Sequence, residues 1–495
     1  MKNKNLLMAV LLAASMTACI NDSDVDVSNT PNTPVVDSRA NATFTFVVPN
    51  TSTASRDAED SGVHFVGSAD EYAVKKVRLY LFSNTTGNFY KSVDVEGISA
   101  ANVNGNSVTY TCNSIVLDPG TYRIFAIANA ENSIASPATI DDLLNTIDNR
   151  TYTSSQVIDE KLRSDGLIMT NRGAQSQVAT ITADNHTNIT ITLERVVAKI
   201  LLSTSENNYE LKDNNGSTYV TISPAAYTLV NLSKEYYLFR HVATLPNASE
   251  TPSIITSWDL DTNFGTIPDA DGYAIDPHFF EKTVAGAAGF NGSFYNNPLA
   301  NSANLNYSGT FGSQSSVYCL ENCMFRPAQL QAYATGVLIK CNISIPENHC
   351  FDENGQTVAA SFQPSTMYYF NYNFYTTLTA VNKIGKANIP SSANPTDEEL
   401  AEYNIKRFIK SEGSHNCFYN YWIKHLDNGM PTYMGVMEYA IVRNNIYDIT
   451  ITNIAGLGDG TPNTDPEIPV EKKGYLDVDF DVMPWIVRSQ NAELE

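Results

Sequence analysis

Residues 475–487 read Tyr-Leu-Asp-Val-Asp-Phe-Asp-Val-Met-Pro-Trp-Ile-Val. Leu476, Val478, Phe480 and Val482 recur at every second position, with Asp477, Asp479 and Asp481 between them. A side-chain period of two belongs to a β-strand with one apolar and one polar face. The stretch follows a linker, residues 456–474 (GLGDGTPNTDPEIPVEKKG), crowded with Gly, Pro and Asp. A strand this amphipathic must bury its apolar face. It does so either as an edge strand on its own domain or by adding to the sheet of another copy. The pattern alone leaves both open.

The same period recurs outward along the chain. Thr43 to Val48 alternates and stops at Pro49-Asn50, and Val77 to Phe82 stops at Ser83-Asn84. Ser114 to Leu117 meets the turn signal Asp118-Pro119-Gly120, after which Tyr122 to Ala128 resumes as a strand. Asn188 to Leu193 runs on into Val196 to Leu202. Further strands are expected at Tyr219–Ile222, Tyr236–Phe239, Gly336–Ile345, Thr366–Phe374 and Tyr439–Ile454. Helical signals are few. Thr139 caps a short helix to Leu144, and Thr396 with Glu399 forms a capping box that predicts a helix to about Ile409. The fold class is therefore mostly β: two β-sandwich domains with small helical insertions, divided near Ser203.

Composition narrows the function classes. The chain has 495 residues, 43% hydrophobic and 17% charged, with 31 Lys+Arg against 53 Asp+Glu. A net charge of −22 argues against a nucleic-acid partner, since phosphate binding needs clustered cations. Nothing resembles a nucleophile elbow, a zinc-protease helix or a phosphate loop, so no catalytic residues and no cofactor are assigned. Gly456, Gly458 and Gly460 lie in an acidic linker. Asp259, Asp261 and Asn263 have calcium-loop spacing, but Gly265 comes one residue late and no Glu closes the loop. Cys319, Cys323, Cys341, His349 and Cys350 lack the paired spacing of a zinc site. With Cys112 and Cys417 they read as local disulfides or buried free thiols.

The N-terminus carries a targeting pattern. Lys2 and Lys4 precede an apolar run from Leu6 to Ala18, too short to span a bilayer, and Met16-Thr17-Ala18 leads into Cys19. This resembles the lipobox of bacterial lipoprotein precursors, in which the cysteine is acylated and becomes the first mature residue. Residues 20–43 follow as a polar tether with Pro breaks. The strand beyond it presents Phe44, Phe46 and Val48 on one face, and the loop after it holds a single basic residue, Arg56. A cut there would release the strand and open a groove.

Several blocks, in order along essentially the whole chain, resemble the fimbrillins of the Bacteroidales, the type V pilins, and most of all the shaft subunit of the minor fimbria. These are the lipobox at Cys19, LDPGTYRIFAIAN at 117–129, LERVVAKI at 193–200, YCLENC at 318–323, YAIVRNNIYDITITNIAGLG at 439–458 and VDFDVMPWIV at 478–487. The resemblance implies two transthyretin-like β-sandwiches, spanning 57–203 and 204–455, after a signal peptide at 1–19 and a tether with removable strand at 20–56. It implies an outer-membrane lipid-anchored precursor cut by an arginine-specific protease at Arg56, with Arg39 as the rival. A donor strand after the linker, within 456–495, then fills the groove of the next copy through Leu476, Val478, Phe480, Val482, Trp485, Ile486 and Val487. Anchor and tip accessory pilins are the other implied partners. The cysteines Cys319, Cys323, Cys341 and Cys350 map onto nothing in the family pattern.

The competing class is a surface-anchored glycan- or ligand-binding lipoprotein that does not polymerise. Trp258, Tyr419, Tyr421 and Trp422 would then stack on sugars, whereas in a structural protein they pack in the core.

Overall fold

In the strand Thr187–Arg195, isoleucines and a leucine alternate with threonines and asparagine, and the alternation sets the layers: Ile189, Ile191 and Leu193 are buried. A computed structural model of the chain describes residues 39–49, 68–244, 307–425 and 438–462 apart from short gaps. It also describes the strands Ser257–Leu260, Ile267–Pro268, Ala274–Ile275, Tyr295–Asn296 and Leu476–Pro484. The protein is mostly β, with two curled sheet systems forming two β-sandwich-like domains.

The first system contains β1 (Ala40–Pro49), β2 (Val77–Ser83), β3 (Phe89–Asp94), β4 (Ser99–Asn104), β5 (Ser107–Thr111), β6 (Ile115–Leu117) and β7 (Gly120–Ala128). It continues with β8 (Met169–Asn171), β9 (Gln177–Ile181) and β10 (Thr187–Arg195). Its order is β3-β2-β7-β8-β10-β1-β5-β4, with β9 paired to β7 and β6 to β1. Two short helices, α1 (Ile140–Leu144) and α2 (Ser155–Ser164), lie in the β7–β8 connection. Thr139 caps the first as expected, accepting from the Asp142 N–H while Asp142 reaches back.

The second system uses β11 (Val197–Thr204), β12 (Tyr209–Lys212), β13 (Thr218–Val230), β14 (Ser315–Leu320), β15 (Gly336–Ser344) and β16 (Thr366–Phe370). Then follow β17 (Asn373–Tyr375), β18 (Lys406–Ser411), β19 (Ser414–Trp422), β20 (Asn445–Ile454) and β21 (Leu476–Pro484). One sheet has the order β14-β11-β20-β21 and the other β12-β13-β15-β19-β18-β16-β17. The strand β11 passes between the two cores. Val197 and Leu201 pack into the first, and Ala198, Ile200 and Leu202 into the second. That double burial is why its sequence is a continuous apolar run broken by a single lysine. Ser203, the expected boundary, lies inside this strand.

Three elements differ from the sequence reading. The helix after Thr396, α3, covers only Asp397–Ala401: Asn404 takes a left-handed φ of 57°, and β18 starts two residues later. The strand expected over 439–454 begins at Asn445, because Asn444 has a φ of 56° and turns the chain. The strand over 366–374 is split by Asn371 and Tyr372, both at positive φ, into a hairpin.

Candidate functional site

The first strand occupies the middle of its sheet. β1 pairs in parallel with β10 from Ala42↔Thr187 to Val47↔Thr192. On its other side it is antiparallel to β5, from Thr45↔Thr111 to Pro49↔Ser107, and to β6, from Ala40↔Leu117 to Ala42↔Ile115. Its inward residues Ala40, Ala42, Phe44, Phe46 and Val48 are each no more than 2% exposed. The Phe44 and Phe46 rings stack with centroids 6.4 Å apart. The Cys112 thiol donates to the Phe44 carbonyl at 3.5 Å, and Thr43 shares a 2.7 Å hydrogen bond with His186. Phe44, Phe46 and Val48 each stabilise this position by about 1.5–3 kcal/mol. Removing β1 would bare a deep apolar slot whose two walls carry unpaired backbone N–H and C=O groups.

The C-terminal strand sits differently. β21 pairs antiparallel with β20, from Asn445↔Pro484 to Ile454↔Leu476, with a bulge between Ile451 and Asn453. It lies at the edge of its sheet, so within one chain it takes the edge-strand position. Leu476, Val478, Phe480 and Val482 all fall on β21, and Val478 is half-buried against the second core. Trp485, Ile486 and Val487 lie outside the described residues. The period of β21 matches that of β1, large apolar residues at alternate positions, over 9 residues against 10. Neither strand carries reactive chemistry; what both offer is a backbone ladder and a row of apolar side chains.

Between the two cores lies a buried ionic cluster that the sequence reading did not assign. The short turn Ala69–Tyr72 follows residues 50–67 and inserts Glu71, which is 1% exposed. Lys199 Nζ is 2.6 Å from Glu71 Oε1, and the Tyr318 hydroxyl donates to the same oxygen at 2.5 Å. The Ser68 N–H donates to Oε2 at 3.0 Å, and Arg195 Nε donates to the Glu71 carbonyl at 2.7 Å. Burial pulls the Arg195 guanidinium down to about 10, with Glu71 working the other way. A second cluster holds Arg443 and Glu321, both fully buried. Arg443 Nε donates to Glu321 Oε2 at 2.7 Å, and its Nη atoms donate to the carbonyls of Tyr237 at 2.6 Å and Leu238 at 3.1 Å. Beside it, Asn444 accepts from the Arg195 N–H at 3.2 Å and donates its own N–H to Val197 at 2.8 Å. Part of the signal was present: Lys199 interrupts an apolar run, and Glu321 and Arg443 each end one, where a buried charge needs a partner.

The remaining expected residues fall as follows. Arg39 is exposed, next to the start of β1. Cys19, Arg56, Asp261 and Asn263 lie outside the described residues, as do the side chains of Trp258 and Asp259. Tyr419 and Trp422 are buried in the core, 4% and 7% exposed, and Tyr421 is half-buried, so these are not a sugar-stacking surface. The Tyr419 hydroxyl donates to the Gly456 carbonyl at 2.9 Å and accepts from the Gly458 N–H at 3.0 Å. A Cβ on Gly460 would stand 1.7 Å from the Arg407 carbonyl, so this loop needs glycine for close backbone approach. Among the described residues, no group of three or more metal-ligating side chains is brought together. None of the helices among them is long and apolar enough to cross a membrane.

The sequence matches the family "Major fimbrial subunit protein (FimA)" over residues 40–224. It matches the family "Major fimbrial subunit protein type IV, Fimbrillin, C-terminal" over residues 413–491. The two matched segments contain β1 and β21 respectively. Among solved structures, the chain is similar to a fimbrilin (FimA) from Porphyromonas gingivalis. That likeness is at 17% identity and a TM-score of 0.40, covering 91% of this chain and 99% of the other. It is also similar to the tip fimbrial protein Mfa3 of the same organism, at 13% identity and a TM-score of 0.34, covering 90% and 100%. No curated protein matches the sequence.

Proposed function

For a chain that belongs to the fimbrillins, and so is a non-enzymatic structural subunit of a cell-surface fimbrium, we propose assembly by donor-strand exchange. The precursor is exported as a lipoprotein acylated at Cys19 and held at the outer membrane. An arginine-specific protease cuts after Arg56, β1 leaves with the N-terminal fragment, and β21 of the next copy enters the vacated slot. Anchor and tip pilins complete the filament at its ends.

The observation that carries this reading is the position of β1. A strand separated from the rest of its domain by the stretch 50–67 fills the centre of the sheet, not an edge. One cut in that stretch frees it. Arg39 precedes β1, so a cut there leaves the slot filled. The alternating face of β21 supplies the replacement: apolar side chains at the spacing the slot requires, and main-chain groups for both walls. Repeated head to tail, the contact does not close on itself and gives a filament.

The test treats the soluble chain lacking residues 1–19 with an arginine-specific protease. A new N-terminus at Asp57, with a detergent-resistant ladder and filaments, is expected. A cut at Asp57 that yields stable monomer, under conditions where a known fimbrillin polymerises, overturns the mechanism.

A further inference from the structure

The two central strands of the second domain's larger sheet, β15 and β19, are antiparallel neighbours, and their register sets Cys341 directly opposite Cys417. Both side chains are wholly buried in the second core. Opposed residues in an antiparallel pair have Cα atoms about 4.5–5.5 Å apart, inside the window of about 4.4–6.8 Å that a disulfide spans. The two thiols are in contact, and burial together with the Cys417 sulfur pushes the Cys341 thiol well above its ordinary range.

Among the described residues, the other cysteines lie elsewhere in the two domains. Cys112 donates to Phe44 and Cys323 to the Ile441 carbonyl, while Cys319 stands opposite Ala198 and Cys350 opposite Phe374. All six are thiols in this structure. A subunit that reaches the cell surface passes through an oxidising compartment, where adjacent thiols are converted.

We propose that Cys341 and Cys417 are joined by a disulfide in the exported protein. The oxidant is a disulfide-bearing exchange protein. One cysteine thiolate attacks that disulfide and releases one of its sulfurs as a thiol. The second cysteine thiolate then attacks the mixed disulfide, forming the Cys341–Cys417 bond and releasing the other sulfur. The chain loses two protons and two electrons, and the exchange protein ends as a dithiol. Neither sulfur is accessible in the folded domain, so the bond forms before the second core closes. Once formed it ties the two strands at the middle of their sheet and encloses the connection carrying β16, β17, α3 and β18. The proposal uses only the cell-surface location and stands or falls independently of strand exchange.

The test isolates the full chain from the surface of cells that export it, denatures it in an alkylating reagent without reductant, and maps the peptides by mass. The expected result is one linked pair holding Cys341 and Cys417, lighter by two hydrogens than the separate peptides. Cys112, Cys319, Cys323 and Cys350 are then alkylated, so reactive thiols among these cysteines fall from six to four. Alkylation of both Cys341 and Cys417, or linkage of either to a different cysteine, overturns it.

Discussion

Glu71 and Lys199 meet at 2.6 Å although 128 residues separate them, and both side chains are nearly inaccessible to water. The pairing fastens the turn that follows residues 50–67 onto β11, the strand shared by the two cores. A cut at Arg56 would therefore put the new chain end at Asp57, fourteen positions before the buried anchor Glu71. Under the proposed exchange, β1 would leave and the slot would change occupant while this junction stays in place.

Replacing Glu71 by Ala removes the carboxylate from a site that buries Lys199 and Arg195. Taking one partner from a buried ion pair costs about 3–5 kcal/mol, far more than a surface pair contributes. Glu71→Ala is expected to lose stability on that scale in urea unfolding of the uncut chain. Glu71→Gln keeps an acceptor for Tyr318 and should fall between the two. Equal stability of Glu71→Ala and the parent would mean the cluster holds nothing together.

Phe46→Ala cuts a fully buried ring from β1. In the uncut chain the expected loss is about 3–5 kcal/mol. After cleavage at Arg56 the same loss acts on a strand held only by non-covalent contacts. A weakening of about 3 kcal/mol, expressed in the barrier to leaving, speeds release about 100-fold. The rate at which the N-terminal fragment separates, followed by mass spectrometry, should rise accordingly, with polymer appearing sooner. An unchanged rate would show that β1 is not what must leave.

Much of this site was legible as period and punctuation. The alternations at 43–48, 188–193 and 476–482 are strands where their spacing put them, and Thr139 and Thr396 cap helices as their sequences imply. What local pattern did not carry is position within a sheet. β1 and β21 read alike, yet one is central and the other at an edge, because β1 is flanked by β10 from far along the chain as well as by β5 and β6, whereas β21 pairs with the nearby β20. The ionic junction was hidden for the same reason: Glu71 has no local feature that names Lys199. The left-handed residues Asn404 and Asn444, which end a helix and start a strand, were passed over because asparagine tolerates that conformation without demanding it.

His415 makes stability depend on pH. Its ring nitrogen donates to the Pro364 carbonyl at 2.9 Å, the side chain is buried, and burial, aided by Lys410, holds its pKa below the ordinary value. The unfolded chain takes up the proton from about pH 6.5 downward while the folded chain resists it. The unfolded state then binds more protons, so stability is full above about pH 6.5 and is lost as pH falls through the lower folded value, by up to about 1.4 kcal/mol per pH unit. His415→Gln retains a donor for Pro364 and should flatten that slope, read as the difference in urea midpoint between about pH 7.5 and about pH 5. Identical slopes for the two proteins would remove His415 as the cause.

Phe480→Asp separates giving a strand from receiving one. The slot vacated by β1 is lined for apolar side chains, so a carboxylate on the inward face of the donor costs several kcal/mol of desolvation with no cation to meet it. The variant's own slot is untouched. After cleavage it should accept a strand from an unaltered copy and donate to none, which makes it a terminator: alone it stays monomeric, and mixed with the parent it shortens filaments in inverse proportion to its share. Asp479→Ala, one position along on the opposite face, is the control and should leave filament length unchanged. Length distributions from electron micrographs decide the matter. Full-length filaments at equal shares of Phe480→Asp and parent would mean that the apolar face of β21 does not enter the neighbouring subunit, and that its place beside β20 is where it remains.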